Sequence, residues 1–91
     1  MIVHDVQVET IVEGEFDVTV NGADTLRVFL PPGLGVAGYD DELFVLYAVR
    51  ELLQQGGPLP AVLDLAEVVG RTPWLIAVVA DALDAADTDT V

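Results

Sequence analysis

Cysteine, lysine and serine are absent from this chain of 91 residues, and histidine occurs once, as His4. Without cysteine the chain can form neither a disulfide framework nor a thiolate metal site. Without serine, cysteine or lysine, and with a single histidine, it also lacks the usual pairs of a nucleophile and its base. We therefore expect no catalytic centre and no metal site.

Positive charge is scarce as well. Sixteen acidic residues stand against three arginines, so the formal net charge is −13. Such a chain repels nucleic acid phosphates and anionic membranes at ordinary ionic strength, so a nucleic acid partner is not expected. Three explanations stay open: a source that lives in high salt, an acidic face that binds a basic partner, or a genome that disfavours lysine combined with ordinary solubility.

The length and the apolar content predict one domain with an interface. A chain of 91 residues, of which 53% are hydrophobic, folds as a single domain with little interior, so some apolar side chains are expected at a homo-oligomer or partner contact. The longest apolar runs, residues 43–49 and 74–80, are far shorter than the ~20 residues of a membrane span. No signal peptide is visible at the N-terminus, and a cytoplasmic location is the default expectation.

The first third of the chain alternates with period two, as half-buried strands do. The apolar side chains of this segment occupy even positions: Val6, Val8, Val12, Phe16, Val18, Val20, Leu26, Val28 and Leu30. They share one face only if both turns contain an odd number of residues. Residues 13–15 fit a three-residue turn, and a three- or five-residue loop with a glycine bulge fits after Val20. The pattern predicts a three-stranded antiparallel meander.

Three helices are expected after the strands. They are predicted at residues 40–55, 60–70 and 72–86. Asp40 suits the N-cap of the first helix, Pro60 the first position of the second, and Thr72 the N-cap of the third. The fold class is therefore α+β, with a single domain over residues 1–86 and a disordered acidic tail at 87–91.

A glycine pattern lies between the last strand and the first helix. Gly33, Gly35 and Gly38 have the spacing of a dinucleotide-binding loop. An acidic helix start at residues 40–42 opposes a pyrophosphate, and no parallel βαβ unit is predicted around the loop. We interpret the segment as a connector between sheet and helices and expect no cofactor.

Residues 62–81 resemble a helix-turn-helix. In that family a small residue in the first helix, followed four positions later by a glycine at the turn, lets the two helices pack closely, and Ala66 and Gly70 have this spacing. The family's buried apolar positions are matched by Leu65, Val69, Ile76 and Val79.

The exposed face of the third helix differs from that of a DNA-recognition helix. It carries Trp74, Ala77, Val78 and Asp81, whereas base recognition uses Arg, Lys, Asn or Gln and phosphate contacts use cations. With its strands placed before its helices, the chain is similar to the winged-helix modules that bind leader peptides in peptide natural-product biosynthesis. That resemblance implies that a peptide adds a strand beside the last helix.

Mapped onto this chain, the resemblance places a groove between an edge strand at residues 25–30 and the third helix. Ile11, Phe29, Trp74, Val78 and Asp81 are the predicted partner-binding residues. The main hypothesis is a non-catalytic protein- or peptide-binding domain with an adaptor or regulatory role, forming a homodimer. Two alternatives stay open: a DNA-binding transcription regulator from a halophilic source, and an acidic DNA mimic or phage assembly protein. The alternative interpretation of Trp74 is a core position, which is the more common one for a tryptophan near a helix start.

Overall fold

Strands lead and helices follow in the structure, a computed structural model that describes residues 5–56 and 59–89, with side chains described to residue 86. The elements are β1 (Val6–Val12), β2 (Glu15–Val20), β3 (Asp24–Phe29), α1 (Asp41–Gln54), β4 (Val62–Asp64), α2 (Leu65–Arg71) and α3 (Trp74–Asp89). The α+β class and the three helices are confirmed. His4 lies outside the described residues. Within them, no helix combines the length and the apolarity that a bilayer crossing requires.

The first three strands form the predicted antiparallel meander. Val8 pairs with Val18 and Val18 pairs with Leu26, so even positions lie opposite even positions, and the predicted register is confirmed in this part of the sheet. The second turn has three residues, 21–23, in which Asn21 and Gly22 adopt φ values of 55° and 71°. These left-handed conformations are the ones that asparagine and glycine tolerate best.

The first turn differs from the predicted three-residue turn at residues 13–15. Val12 pairs with Glu15, which leaves only Glu13 and Gly14 between the strands, and the pairing shifts between Thr10 and Val12. An irregularity of this kind, a β-bulge, places one extra residue in one strand. The extra residue is Ile11, and the even register holds in the rest of β1. The predicted place of Val12 on the apolar face is wrong, because the bulge sets Val12 opposite Glu15 and leaves it 53% exposed.

The sheet has four strands rather than the three antiparallel strands that we predicted. β4 pairs in parallel with β3, with Val28 opposite Leu63, and the strand order is β1-β2-β3-β4. The amide of Arg27 donates to the carbonyl of Ala61 over 2.9 Å. The second helix therefore begins at Leu65, five residues after the predicted start at Pro60. As a consequence β3 lies inside the sheet.

The helices cover the even face of the sheet and complete one hydrophobic core. α1 packs across β1 and against α3, and α2 contacts α3, β3 and β4. Val6 and Val8 of β1 pack against this core but are only partly buried. The buried side chains come from β2, β3, β4, the three helices and the residue after β3: Phe16, Val18, Val20, Leu26, Val28, Leu30, Phe44, Val45, Ala48, Val49, Leu63, Leu65, Leu75, Val79 and Leu83. The odd positions of β2 and β3, with Gln7 and Glu9 of β1, form the opposite face, which we call the outer sheet face.

The helix ends differ in detail from the predictions. Asp40 occupies the N-cap position of α1, but its side chain makes no capping hydrogen bond. The hydroxyl of Thr72 donates to the carbonyl of Val68 over 2.6 Å, so it stabilises the end of α2 and does not cap α3. α3 continues to Asp89, so residues 87–89, which we assigned to the tail, are helical. The last two residues of the predicted tail lie outside the described part of the chain.

Candidate protein-binding surfaces

The outer face of α3 carries three of the predicted partner-binding residues. Trp74, Val78 and Asp81 follow one another at helical spacing and therefore share a face. Trp74 is 44% exposed, Val78 is half-buried and Asp81 is exposed. Their neighbours Leu75 and Val79 are buried on the opposite side of the helix. The alternative that Trp74 belongs to the core is therefore wrong. We call Trp74, Val78 and Asp81 the α3 patch.

Cations are missing from this face. The sequence of α3 contains no lysine or arginine, and the hydroxyl of Tyr39 donates to the carboxylate of Asp84 over 2.7 Å on the same helix. The chain's three arginines lie against other side chains. Arg27 pairs with Asp17 at 2.8 Å, Arg71 pairs with Glu67 at 3.3 Å, and Arg50 lies 5.8 Å from the ring centroid of Tyr47.

The other two predicted partner-binding residues, Phe29 and Ile11, lie outside the α3 patch. Phe29 is half-buried on the outer sheet face, turned away from the helices, and Ile11 is 41% exposed at the bulge of β1. The predicted groove required β3 to be a free edge, but β4 occupies that position. The structure therefore does not bring Phe29 together with Trp74 and Val78. The chain's own fourth strand fills the place that we had assigned to a peptide.

The helix-turn-helix spacing of Ala66 and Gly70 does not produce close packing between α2 and α3. Ala66 is exposed, and a side-chain carbon added at Gly70 would meet no atom within 4 Å outside its own helix turn. Gly70 lies within α2, and the connection to α3 follows at Thr72 and Pro73. Of the predicted buried positions, Leu65 and Val79 are buried, whereas Val69 and Ile76 are half-buried.

The glycine loop borders a cleft of about 560 Å³ at one end of the sheet. The prediction that no parallel βαβ unit surrounds this loop is wrong, because β3, α1 and β4 form one. The cleft is nevertheless anionic, since four carboxylates line it: Glu13, Glu15, Asp41 and Asp64. The carboxylate of Asp64 already accepts a hydrogen bond from the amide of Ala66.

The third glycine of the pattern also lies in the wrong place for a dinucleotide. In that motif it permits close packing between helix and strand. Gly38 precedes α1, and a side-chain carbon built on it would meet nothing within 4 Å. A pyrophosphate in this cleft would therefore be repelled by the carboxylates. It would also lack the close packing between helix and strand that the motif's third glycine permits. Among the described residues no group of three or more potential ligands is arranged to hold a metal ion.

Within the described part of the chain the sheet has two edge strands, β1 and the three-residue β4, and the longer β1 edge is a feature that sequence reasoning did not single out. The amide of Asn21 donates to the carbonyl of Asp5 over 2.6 Å, and the amide of Asp5 donates to the side-chain Oδ1 of Asn21 over 2.9 Å, so these residues occupy a hydrogen-bonded position of the ladder. Such positions alternate along an antiparallel ladder. Gln7 and Glu9 therefore bond to β2, while the N–H and C=O groups of Val6 and Val8 point away from the sheet. The signal available in the sequence was the alternation of acidic and apolar residues in this segment.

Comparison with known proteins gives no significant match. No protein-family model matches the chain, and no curated protein and no solved structure is significantly similar to it.

Proposed function

We propose that this chain is a non-catalytic protein-binding domain whose partner contacts the α3 patch. The observation that carries the proposal is the exposure of Trp74, 44% of whose surface reaches solvent on the same face as Val78 and Asp81. Tryptophan is among the residues that most often dominate binding energy at protein interfaces. The indole offers a large apolar anchor whose N–H can still bond to a partner.

The charge of the patch indicates the chemistry of the partner. Asp81 lies next along α3 from the apolar pair Trp74 and Val78, and the whole chain carries a net charge of −13. A complementary surface would offer an apolar pocket for the indole with a cation beside it. Electrostatic attraction of this kind accelerates association and selects among partners. We therefore expect a basic protein or peptide.

The DNA-binding alternative finds less support. A protein that binds duplex DNA needs cationic side chains that contact the phosphates. α3 contains no lysine or arginine, and the chain's three arginines contact other side chains of the chain. A regulator from a halophilic source would still shift the mobility of duplex DNA in molar salt. An acidic DNA mimic would instead compete with DNA for a basic protein, and that outcome is compatible with the α3 patch as the contact.

The homo-oligomer that the apolar content predicts stays a prediction. Light scattering on the purified chain tests it, because one copy has a mass of 9.7 kDa. A larger mass that falls to this value in Trp74→Ala would make a second copy the occupant of the α3 patch.

Site-specific photocrosslinking in the native host tests the proposed function. A benzoylphenylalanine at position 78 lies in the patch, whereas the same group at position 67 lies on α2 beside Arg71 and serves as the matched control. We expect a protein adduct at position 78 that is absent at position 67. Equal labelling at both positions, or adducts to DNA alone, would contradict the proposal.

A further inference from the structure

We propose that β1 is a second docking edge, which takes an extended basic segment of a partner as a fifth strand of the sheet. This inference concerns a surface other than the α3 patch and is independent of the proposal for that patch. It rests on three observations: an open backbone edge, an incompletely covered apolar row at that edge, and an unbalanced row of charges beside it.

The backbone edge is ready for pairing. Among the described residues β1 pairs with β2 alone. The N–H and C=O groups of Val6 and Val8 point away from β2, because Asp5 is hydrogen-bonded to Asn21 and the ladder alternates from there. Unpaired edge groups of this kind are the template for an added strand. The bulge at Ile11 ends the regular part of the edge, so the docking stretch is short.

The apolar row at this edge is incompletely covered. Val8, Val18 and Leu26 lie side by side across the three antiparallel strands, on the face that packs against the helices. Val18 is fully buried and Leu26 is 4% exposed, but Val8 is only half-buried. A strand added beside β1 would cover the remaining side of Val8 with an apolar residue of its own.

The charges on the outer sheet face specify the partner. Glu9 lies directly opposite Asp17, and Asp17 in turn pairs with Arg27, so the row across the sheet carries two anions and one cation. Neither of the ion pairs found among the described residues includes Glu9. A lysine or arginine on an added strand would lie next to Glu9 and complete the row. Opposite charges on neighbouring strands stabilise a sheet, and like charges destabilise it.

The same charges argue against a second copy at this edge. Antiparallel pairing of two β1 strands places Asp5 and Glu9 of both copies on one face of a single ladder. Each copy also carries a net charge of −13. A basic segment avoids both penalties. Its residues opposite Val6 and Val8 would be apolar, and its residues facing Asp5 and Glu9 would be cationic, so its pattern alternates.

Hydrogen exchange measured by NMR on the whole chain tests the proposal. The probe is an end-capped peptide of four Lys-Val repeats, and the control peptide has four Lys-Pro repeats. The control keeps the charge but removes the N–H groups at the positions that would bond to Val6 and Val8. In the free chain we expect fast exchange at the amides of Val6 and Val8 and slow exchange at those of Gln7 and Glu9. The Lys-Val peptide should slow the first pair, and the Lys-Pro peptide should not.

Charge reversal completes the test. We expect Glu9→Lys to weaken Lys-Val binding about fivefold through the lost and reversed cross-strand pair. Glu67→Lys makes the same change in net charge on α2, and we expect it to leave the affinity close to that of the parent chain. Equal binding of the two peptides, or equal weakening by the two variants, would mean that the basic peptides bind only through non-specific attraction to the acidic chain. Either result would overturn the proposal. Concentration-dependent protection of Val6 and Val8 without peptide would assign the edge to a second copy and overturn it as well.

The two proposals fail separately. Trp74→Ala alters the α3 patch without touching β1, so we expect it to bind the Lys-Val peptide like the parent chain. A protein adduct at position 78 combined with no peptide binding would leave the proposed function intact and remove only the β1 edge.

Discussion

Glu9 and Asp17 lie directly opposite each other across the β1–β2 ladder, with their side chains on the outer sheet face. Asp17 receives compensation from Arg27, whose Nε lies 2.8 Å from its carboxylate, and Glu9 takes no part in that ion pair. The sheet thus places two like charges side by side at its β1 edge, which is the arrangement expected to weaken a strand pair.

Neutralising Glu9 should therefore stabilise the fold. We expect Glu9→Gln to raise the free energy of unfolding by about 0.5 kcal/mol at low salt, because it removes the repulsion from Asp17. The gain should shrink in high salt, where exposed charges are screened. Urea denaturation measures both. Asp81→Asn removes the same charge from the surface of α3 and reports the general effect of lower net charge, so an equal gain in both variants would refute the local repulsion.

Truncation of two neighbouring residues of α3 should cost unequal amounts of stability. Leu75 is fully buried in the core, and we expect Leu75→Ala to cost about 2–5 kcal/mol of unfolding free energy. Trp74 is 44% exposed, so Trp74→Ala should cost about 1 kcal/mol. Thermal or urea unfolding of the two variants gives the comparison. A larger loss in Trp74→Ala would place the indole in the core and remove the anchor of the α3 patch.

Gly14 and Gly33 offer a matched pair for the geometry of the first turn. Their φ values are 82° and 83°, so an alanine meets similar backbone strain at either position. A side-chain carbon at Gly14 would lie 3.0 Å from the carbonyl oxygen of Leu30, whereas at Gly33 it would meet nothing within 4 Å. We expect Gly14→Ala to be more destabilising than Gly33→Ala by about 1 kcal/mol or more. Equal losses would mean that the approach of Gly14 to the Leu30 carbonyl is looser than described.

The strand register could be predicted from the sequence because the alternation of apolar and polar residues continues over many residues. The period-two pattern extends through β1, β2 and β3, and parity alone predicts which residues share a face. The exception is Val12, which the bulge at Ile11 moves to the outer sheet face. β4 could not be found in this way, since three residues contain less than two periods of an alternation. Its pairing depends on α1, which carries the chain back across the sheet and sets Leu63 beside Val28. Pro60, which we used to start a helix, precedes this short strand instead.

The candidate site was predicted only in part, for a related reason. The exposure of Trp74 and Asp81 follows from the helical spacing of α3, which the sequence shows directly. The groove that joined them to Phe29 depended on β3 being an edge, and the unseen β4 removed it. The β1 edge became visible only through the hydrogen bond between Asn21 and Asp5, which fixes the direction of each backbone group.

The most direct test of the central claim measures the affinity of the partner recovered by crosslinking at position 78. Calorimetry would compare the parent chain with Trp74→Ala, and a mobility assay in low and molar salt would follow duplex DNA in parallel. We expect the variant to bind at least about tenfold more weakly, as for an interface hot spot, and the duplex to be unaffected by either chain. Equal affinity of the two chains, or a shifted duplex at any salt concentration, would contradict the account.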